Sequence, residues 1–139
     1  MPTTKEISIE LNDQPGVLGN ICRSLADRGV NILALDAKPL EGKGKSQVRL
    51  VVDNPTTLKS VLDNQKLKYT ETQVAQVRLQ HRPGELARAA SRLGEANVNI
   101  NYLYCGVDAS TNEPLLIFGV ADAGRAATIL DEAATAARA

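Results

Sequence analysis

The residues best placed to do chemistry lie in one short turn, Asn12-Asp13-Gln14-Pro15-Gly16-Val17-Leu18. Pro15-Gly16 stops an alternating segment and opens a helical one. A glycine at a helix start lets another group approach the backbone closely. The N–H groups of a first helical turn have no partner within the helix. With the helix dipole they form an anion site. A ligand carboxylate is the natural small anion. Asp13 offers an acceptor for a ligand ammonium. Together these groups suit a zwitterion. Pro-Gly also makes ordinary tight turns, and from these residues alone both readings stand.

The turn occurs twice. Gln80-His81-Arg82-Pro83-Gly84-Glu85-Leu86 follows the first copy at a constant offset of 68 residues. Without a gap, Leu11, Leu25, Val30, Asn31 and Ile32 fall on Leu79, Leu93, Val98, Asn99 and Ile100. Such self-similarity indicates a duplicated unit, with bounds read here as 1–71 and 72–139. The copies differ at the turn: His81 replaces Asp13 and Glu85 adds a carboxylate. An exposed carboxylate at a helix N-terminus would repel an anionic ligand by up to about 1 kcal/mol. The first copy is therefore the better expected site.

The elements that must hold the turn follow from periodicity. Ile7, Ile9 and Leu11 alternate with Ser8 and Glu10, as in a half-buried strand. Val17, Leu18, Ile21, Cys22 and Leu25 make one helix face, and Gly29 ends that helix. Strands are expected over 31–37 and 47–52, joined through the loop Glu41–Lys45. Asn54-Pro55 reads as an N-cap and first helical residue, opening a helix to about Asn64. A fourth strand is expected over Lys66–Thr72. The order is βαββαβ, an α+β ferredoxin-like arrangement. The second copy should lack its last strand, because Ala133–Ala139 is alanine-rich and favours helix. Residues 66–80 contain neither Gly nor Pro, so the two units are expected as one rigid body with strand exchange open.

Asp13-Gln14-Pro15-Gly16-Val17-Leu18, followed by Gly29-Val30-Asn31-Ile32, resembles the signature of the ACT domain. The resemblance spans almost the whole chain and is weaker in the second copy. It implies a regulatory domain that binds amino acids, here as a stand-alone tandem protein acting on a metabolic enzyme. The implied ligand contacts are Asn12, Asp13, Gly16, Val17, Leu18, Asn31 and Ile32. In the second copy they are Gln80, His81, Gly84, Glu85, Leu86, Asn99 and Ile100.

Other chemistries find less support. Sixteen basic and sixteen acidic residues leave no net charge, whereas nucleic-acid binders usually carry a basic excess. With no Trp, one Phe and three Tyr, stacking platforms for single strands are scarce. No apolar run approaches the roughly 20 residues of a membrane span, and the N-terminus lacks a signal-peptide core. A cytoplasmic chain is expected, with Cys22 and Cys105 as free thiols. His81, the sole histidine, cannot hold a metal alone, and no cofactor is expected. Tyr102 and Tyr104 read as packing residues, Lys43 and Lys45 as solvated loop charges. Apolar side chains on both faces of Leu115–Val120 point to a homodimer that buries the second face or a sheet edge.

The expected function is an amino-acid-binding regulator, not an enzyme. The alternatives are an interaction module that binds no ligand and, less well supported, an acylphosphatase-type enzyme. That enzyme needs an Arg and Asn pair at the loop, and Arg82 has no evident partner.

Overall fold

The computed structural model describes residues 3–138. Met1, Pro2 and Ala139, included in the unit bounds above, lie outside the described residues. The chain divides into two compact units, Lys5–Thr72 and residues 73–138 together with 3–4.

In the first unit, β1 (Thr3–Asn12) leads to α1 (Val17–Asp27), then β2 (Ile32–Leu40), β3 (Lys45–Val52) and α2 (Pro55–Asn64). The central strand β3 pairs antiparallel with β1, Ile9 opposite Val48, and with β2, Leu35 opposite Leu50. Ile7, Ile9 and Leu11 face a core that includes Ile21 and Leu25 of α1 and Leu58 and Leu62 of α2. That alternation is what the sequence pattern requires. Asn54 accepts a hydrogen bond from the Thr57 N–H (3.1 Å), the expected cap with Pro55 behind it.

Helix α1 ends as glycine allows. Gly29 takes φ +72, and the Val30 N–H donates to the Leu25 carbonyl (3.0 Å). In the second unit Asn97 takes the same role at φ +61, with the Val98 N–H on the Leu93 carbonyl (2.9 Å). Asparagine is among the few side chains that tolerate this left-handed backbone.

The fourth strand starts later and runs further than the sequence reading. Lys66 takes φ +57 and closes α2, the Leu67 N–H donating to the Leu62 carbonyl (2.9 Å). An extended strand therefore begins only past that left-handed residue. It is β4 (Tyr69–Arg78), one continuous strand. Its start lies in the first unit, where Glu71 pairs with Lys59 and with Lys5. Its end opens the second unit, with Val77 opposite Leu116 of β6.

The second unit continues through α3 (Glu85–Glu95), β5 (Tyr102–Val107), β6 (Pro114–Gly119) and α4 (Ala123–Arg138). Strand β6 pairs antiparallel with β4 and with β5. Phe118, Leu93, Ala126 and Leu130 centre its core. Helix α4 occupies the stretch where the repeat offset would place a further strand, as the alanine content predicts. Gly119 faces Tyr102 across the β5–β6 ladder. A Cβ there would collide with the Tyr102 ring, which would have to move aside.

The second apolar face of β6 does not call for a homodimer. Leu115 and Ile117, the face expected to await a second copy, are 4% and 0% exposed in the single chain. Leu116 and Phe118, on the other face, are 6% and 0% exposed. Apolar side chains on both faces of β6 therefore report burial within one chain.

Candidate functional site

The first-unit turn is built from the end of β1, the start of α1 and the β2–β3 hairpin. Gly16 caps α1 at φ +87, with no side chain capping the helix. The first bond of the helix ladder is Asn20 N–H to Gly16 carbonyl (3.0 Å). The Leu18 and Gly19 N–H groups precede it and project from the helix start, where no intrahelical acceptor exists. A Cβ on Gly16 would meet nothing within 4 Å, so the space over the turn is open.

The turn is fastened to the hairpin by three bonds. The Asp13 N–H donates to the Gly44 carbonyl (3.0 Å). Ser46 Oγ donates to Asp13 Oδ1 (3.0 Å), and Lys45 Nζ donates to Asn12 Oδ1 (2.6 Å). Lys45 is thus a member of the turn, not the solvated loop charge expected from the sequence. Its ammonium is held by that bond at the end of β1. Ser46 was not anticipated either. Both residues lie opposite the end of β1, Asn12 facing Lys45 and Leu11 facing Ser46. That register belongs to strand pairing, which no local motif announces. Val17 and Leu18 are partly buried and pack against the core.

Asn31 and Ile32 do not join this turn. Asn12 lies opposite Lys45 at one end of β3, and Ile32 opposite Val52 at the other. Seven residues at about 3.4 Å each put roughly 24 Å between them. The cause is the topology: β1 and β2 both run antiparallel to β3, so the end of β1 and the start of β2 occupy opposite edges. The Asn31 N–H instead binds Asp53 Oδ1 (2.9 Å), and Ile32 packs against the core. The second unit repeats the separation. Leu79 N–H binds Pro114 at one end of β6, while Asn101, just past Asn99 and Ile100, binds Gly119 at the other.

The second turn keeps the backbone and changes the chemistry. Gly84 caps α3 at φ +91. Glu85 does not stand at the turn as a free charge. It is 5% exposed, accepts from Arg82 Nε (2.7 Å) and lies 3.4 Å from Arg88 Nη1. The expected repulsion of an anion is therefore cancelled internally, because two guanidiniums neutralise the carboxylate. Where the first unit has Lys45, the second has Glu113, which pairs with Arg138 (3.0 Å). Gln80, at the place of Asn12, is left with a buried Oε1 that has no partner among the described residues. His81 and Leu86 are exposed.

The Arg82 hydrogen bond, with the charges of Arg82, Arg88 and Arg138, holds the Glu85 carboxyl below its ordinary range, while desolvation opposes. A carboxylate with a lowered folded-state pKa stabilises the fold above its unfolded value, near 4.3, and loses that contribution as pH falls through the folded value. Glu85→Gln should therefore cost stability at pH 6, and the difference from wild type should shrink towards pH 3. Urea midpoints at the two pH values measure it. An equal difference at both would show that Glu85 stabilises by packing alone.

Among the described residues no group of three or more His, Cys, Asp or Glu is placed to hold a metal. No helix is long and apolar enough to cross a membrane. Cys22 packs partly against the first core, and burial raises its thiol pKa; Cys105 is exposed.

Residues 7–70 match the family model of the AHAS small subunit-like ACT domain. The first unit is similar to that ACT domain over this span. Solved structures share the fold along nearly the whole chain. A protein from Bacteroides thetaiotaomicron has a TM-score of 0.79 at 23% identity, covering 94% of this chain and 88% of that one. The ligand-free regulatory subunit of aspartate kinase from Thermus thermophilus has a TM-score of 0.60 at 16% identity, covering 96% and 97%. Its counterpart from Thermus flavus has a TM-score of 0.60 at 15% identity, covering 96% and 97%. At these identities the likeness concerns fold. No curated protein matches the chain.

Proposed function

We propose that this chain is a cytoplasmic tandem of two ACT-like units that binds a free amino acid at the first turn and thereby modulates an enzyme of amino-acid metabolism. The observation that carries the reading is the first turn itself. Gly16 opens a helix N-terminus to solvent, and Lys45, held on Asn12, brings a positive charge to the turn. A ligand carboxylate placed there gains backbone N–H donors and the helix dipole. Asp13 is exposed, and its second carboxylate oxygen is available to an ammonium while the first holds Ser46.

The likeness of the first unit to the small-subunit ACT model, and of the fold to aspartate kinase regulatory subunits, supports regulation over catalysis. A bound ligand shifts a partner only through differential affinity for two states of the protein. A homodimer through the second face of β6 is not carried forward, since the fold buries that face; pairing of two copies through a sheet edge stays part of the proposal.

A thermal-shift panel of the free amino acids tests the reading. Saturable stabilisation by one or a few is expected, about 2.7 kcal/mol at a hundredfold excess over Kd. The second reading, an interaction module without a ligand, draws on Lys45 and Ser46 already occupying Asn12 and Asp13. It takes over if every amino acid leaves the midpoint unchanged.

A further inference from the structure

The second unit contains a cavity of about 600 Å³ between the end of β4, the 108–113 loop and the C-terminal half of α4. It is remote in kind from the turns: no Pro-Gly residue lines it. Its wall carries Arg78 and Arg138 opposed by Asp108, Glu113 and Asp131.

Most of these charges are already engaged. Arg138 Nη2 lies 3.0 and 3.1 Å from the two oxygens of Glu113. Asp108 Oδ2 accepts from Ser110 Oγ (2.8 Å), Thr111 N–H (3.0 Å) and Thr111 Oγ1 (2.8 Å). The Ser110 and Thr111 bonds, first among the causes, hold its carboxyl below the usual range.

Two groups remain under-used. Arg78 reaches Asp108 only at 3.8 Å, beyond hydrogen-bond distance, and its side chain is 51% exposed. A guanidinium has five N–H donors in a planar fork suited to a carboxylate. The Asp131 carboxylate, on the facing helix, has no partner among the described residues. One cavity therefore presents an available cation and an available anion on separate walls. Val77 and Ala134 supply apolar surface near them. Two basic and three acidic lining residues leave one net negative charge, which disfavours a purely anionic ligand.

We infer that this cavity binds a small zwitterion, its carboxylate on Arg78 and its ammonium on Asp131. A free amino acid and a short unblocked peptide share that chemistry. A cavity of this size holds either, since small-molecule pockets run from about 300 to 1,000 Å³. The inference does not rest on the turn reading.

Calorimetric titrations with the free amino acids, and with unblocked di- and trialanine, test it and separate the two sources. The expected result is a binder whose affinity falls at least tenfold in Arg78→Leu and in Asp131→Asn, and in its N-acetylated or C-amidated form. Gly16→Asp should leave this binding intact. Both cavity positions are surface-accessible, and circular dichroism checks that each variant folds. Should Gly16→Asp abolish all binding while both cavity variants bind as wild type, the inference is overturned. It is equally overturned if blocked and unblocked ligands bind alike, or if no zwitterion binds. Binding lost only in the cavity variants would uphold it and sink the turn reading.

Discussion

Gly16→Asp should weaken amino-acid binding at the first turn at least tenfold while the chain stays folded. Two effects combine. The new carboxylate sits at the helix N-terminus where a ligand carboxylate would bind. Opposing a like charge there costs up to about 1 kcal/mol, the N–H donors it takes from the ligand cost about 1.5 kcal/mol more, and 1.4 kcal/mol is tenfold in Kd. The backbone also resists, because Gly16 takes φ +87 and an L-residue in that region costs about 1–2 kcal/mol. Gly16→Asn separates the two, since asparagine tolerates the conformation and adds no charge. It should keep more stability and more affinity than the aspartate. Gly84→Asp supplies the matched control and should leave first-turn binding unchanged. Wild-type affinity in Gly16→Asp, measured by titration calorimetry, would remove the turn from consideration.

Phe118→Ala should be the most damaging single change to stability. Phe118 is fully buried in the second core, against Leu93, Ala126 and Leu130. Removing a buried phenyl ring costs about 3–5 kcal/mol, because the transfer term and the cavity term add. Much of that core is alanine, whose short side chains cannot close in to fill the space. The melting midpoint should fall by roughly 10 °C or more. A change of under about 2 °C in a calorimetric scan would mean that this core does not limit stability.

Much of the fold was legible because local rules and the duplication agree. The offset that maps Gly29 onto Asn97 pairs two residues able to hold a left-handed helix end, and both do so. Asn54-Pro55 capped α2 as its residue types require. The strand after α2 starts later than its residue types suggest, because Lys66 carries no outward sign of its positive φ. That angle is imposed by closing the helix, and lysine neither favours nor advertises it.

The candidate site was legible only in its local part. Pro15-Gly16 and Pro83-Gly84 mark their turns within a few residues of sequence. Lys45 reaches Asn12 through the β1–β3 register, and a single chain's sequence carries no direct record of strand register. Asn31 and Ile32 joined the expected site by resemblance, yet antiparallel pairing puts them at the far end of their own sheet. Glu85 was read as an exposed charge from its place beside the turn. Its burial depends on Arg82 three residues before it and Arg88 three residues after it, both within reach at the helix start. The β6 run was apolar on both faces, which reports burial without saying whether one chain or two provide it.

The most direct test of amino-acid binding at the first turn is a titration of the ¹⁵N-labelled chain followed by amide chemical shifts. The expected result is saturable shifts for the Leu18 and Gly19 amides, with Lys45 and Ser46 moving in step, at one amino-acid concentration dependence. Saturable binding that leaves those four amides still, or no shift with any free amino acid at millimolar concentration, would contradict it.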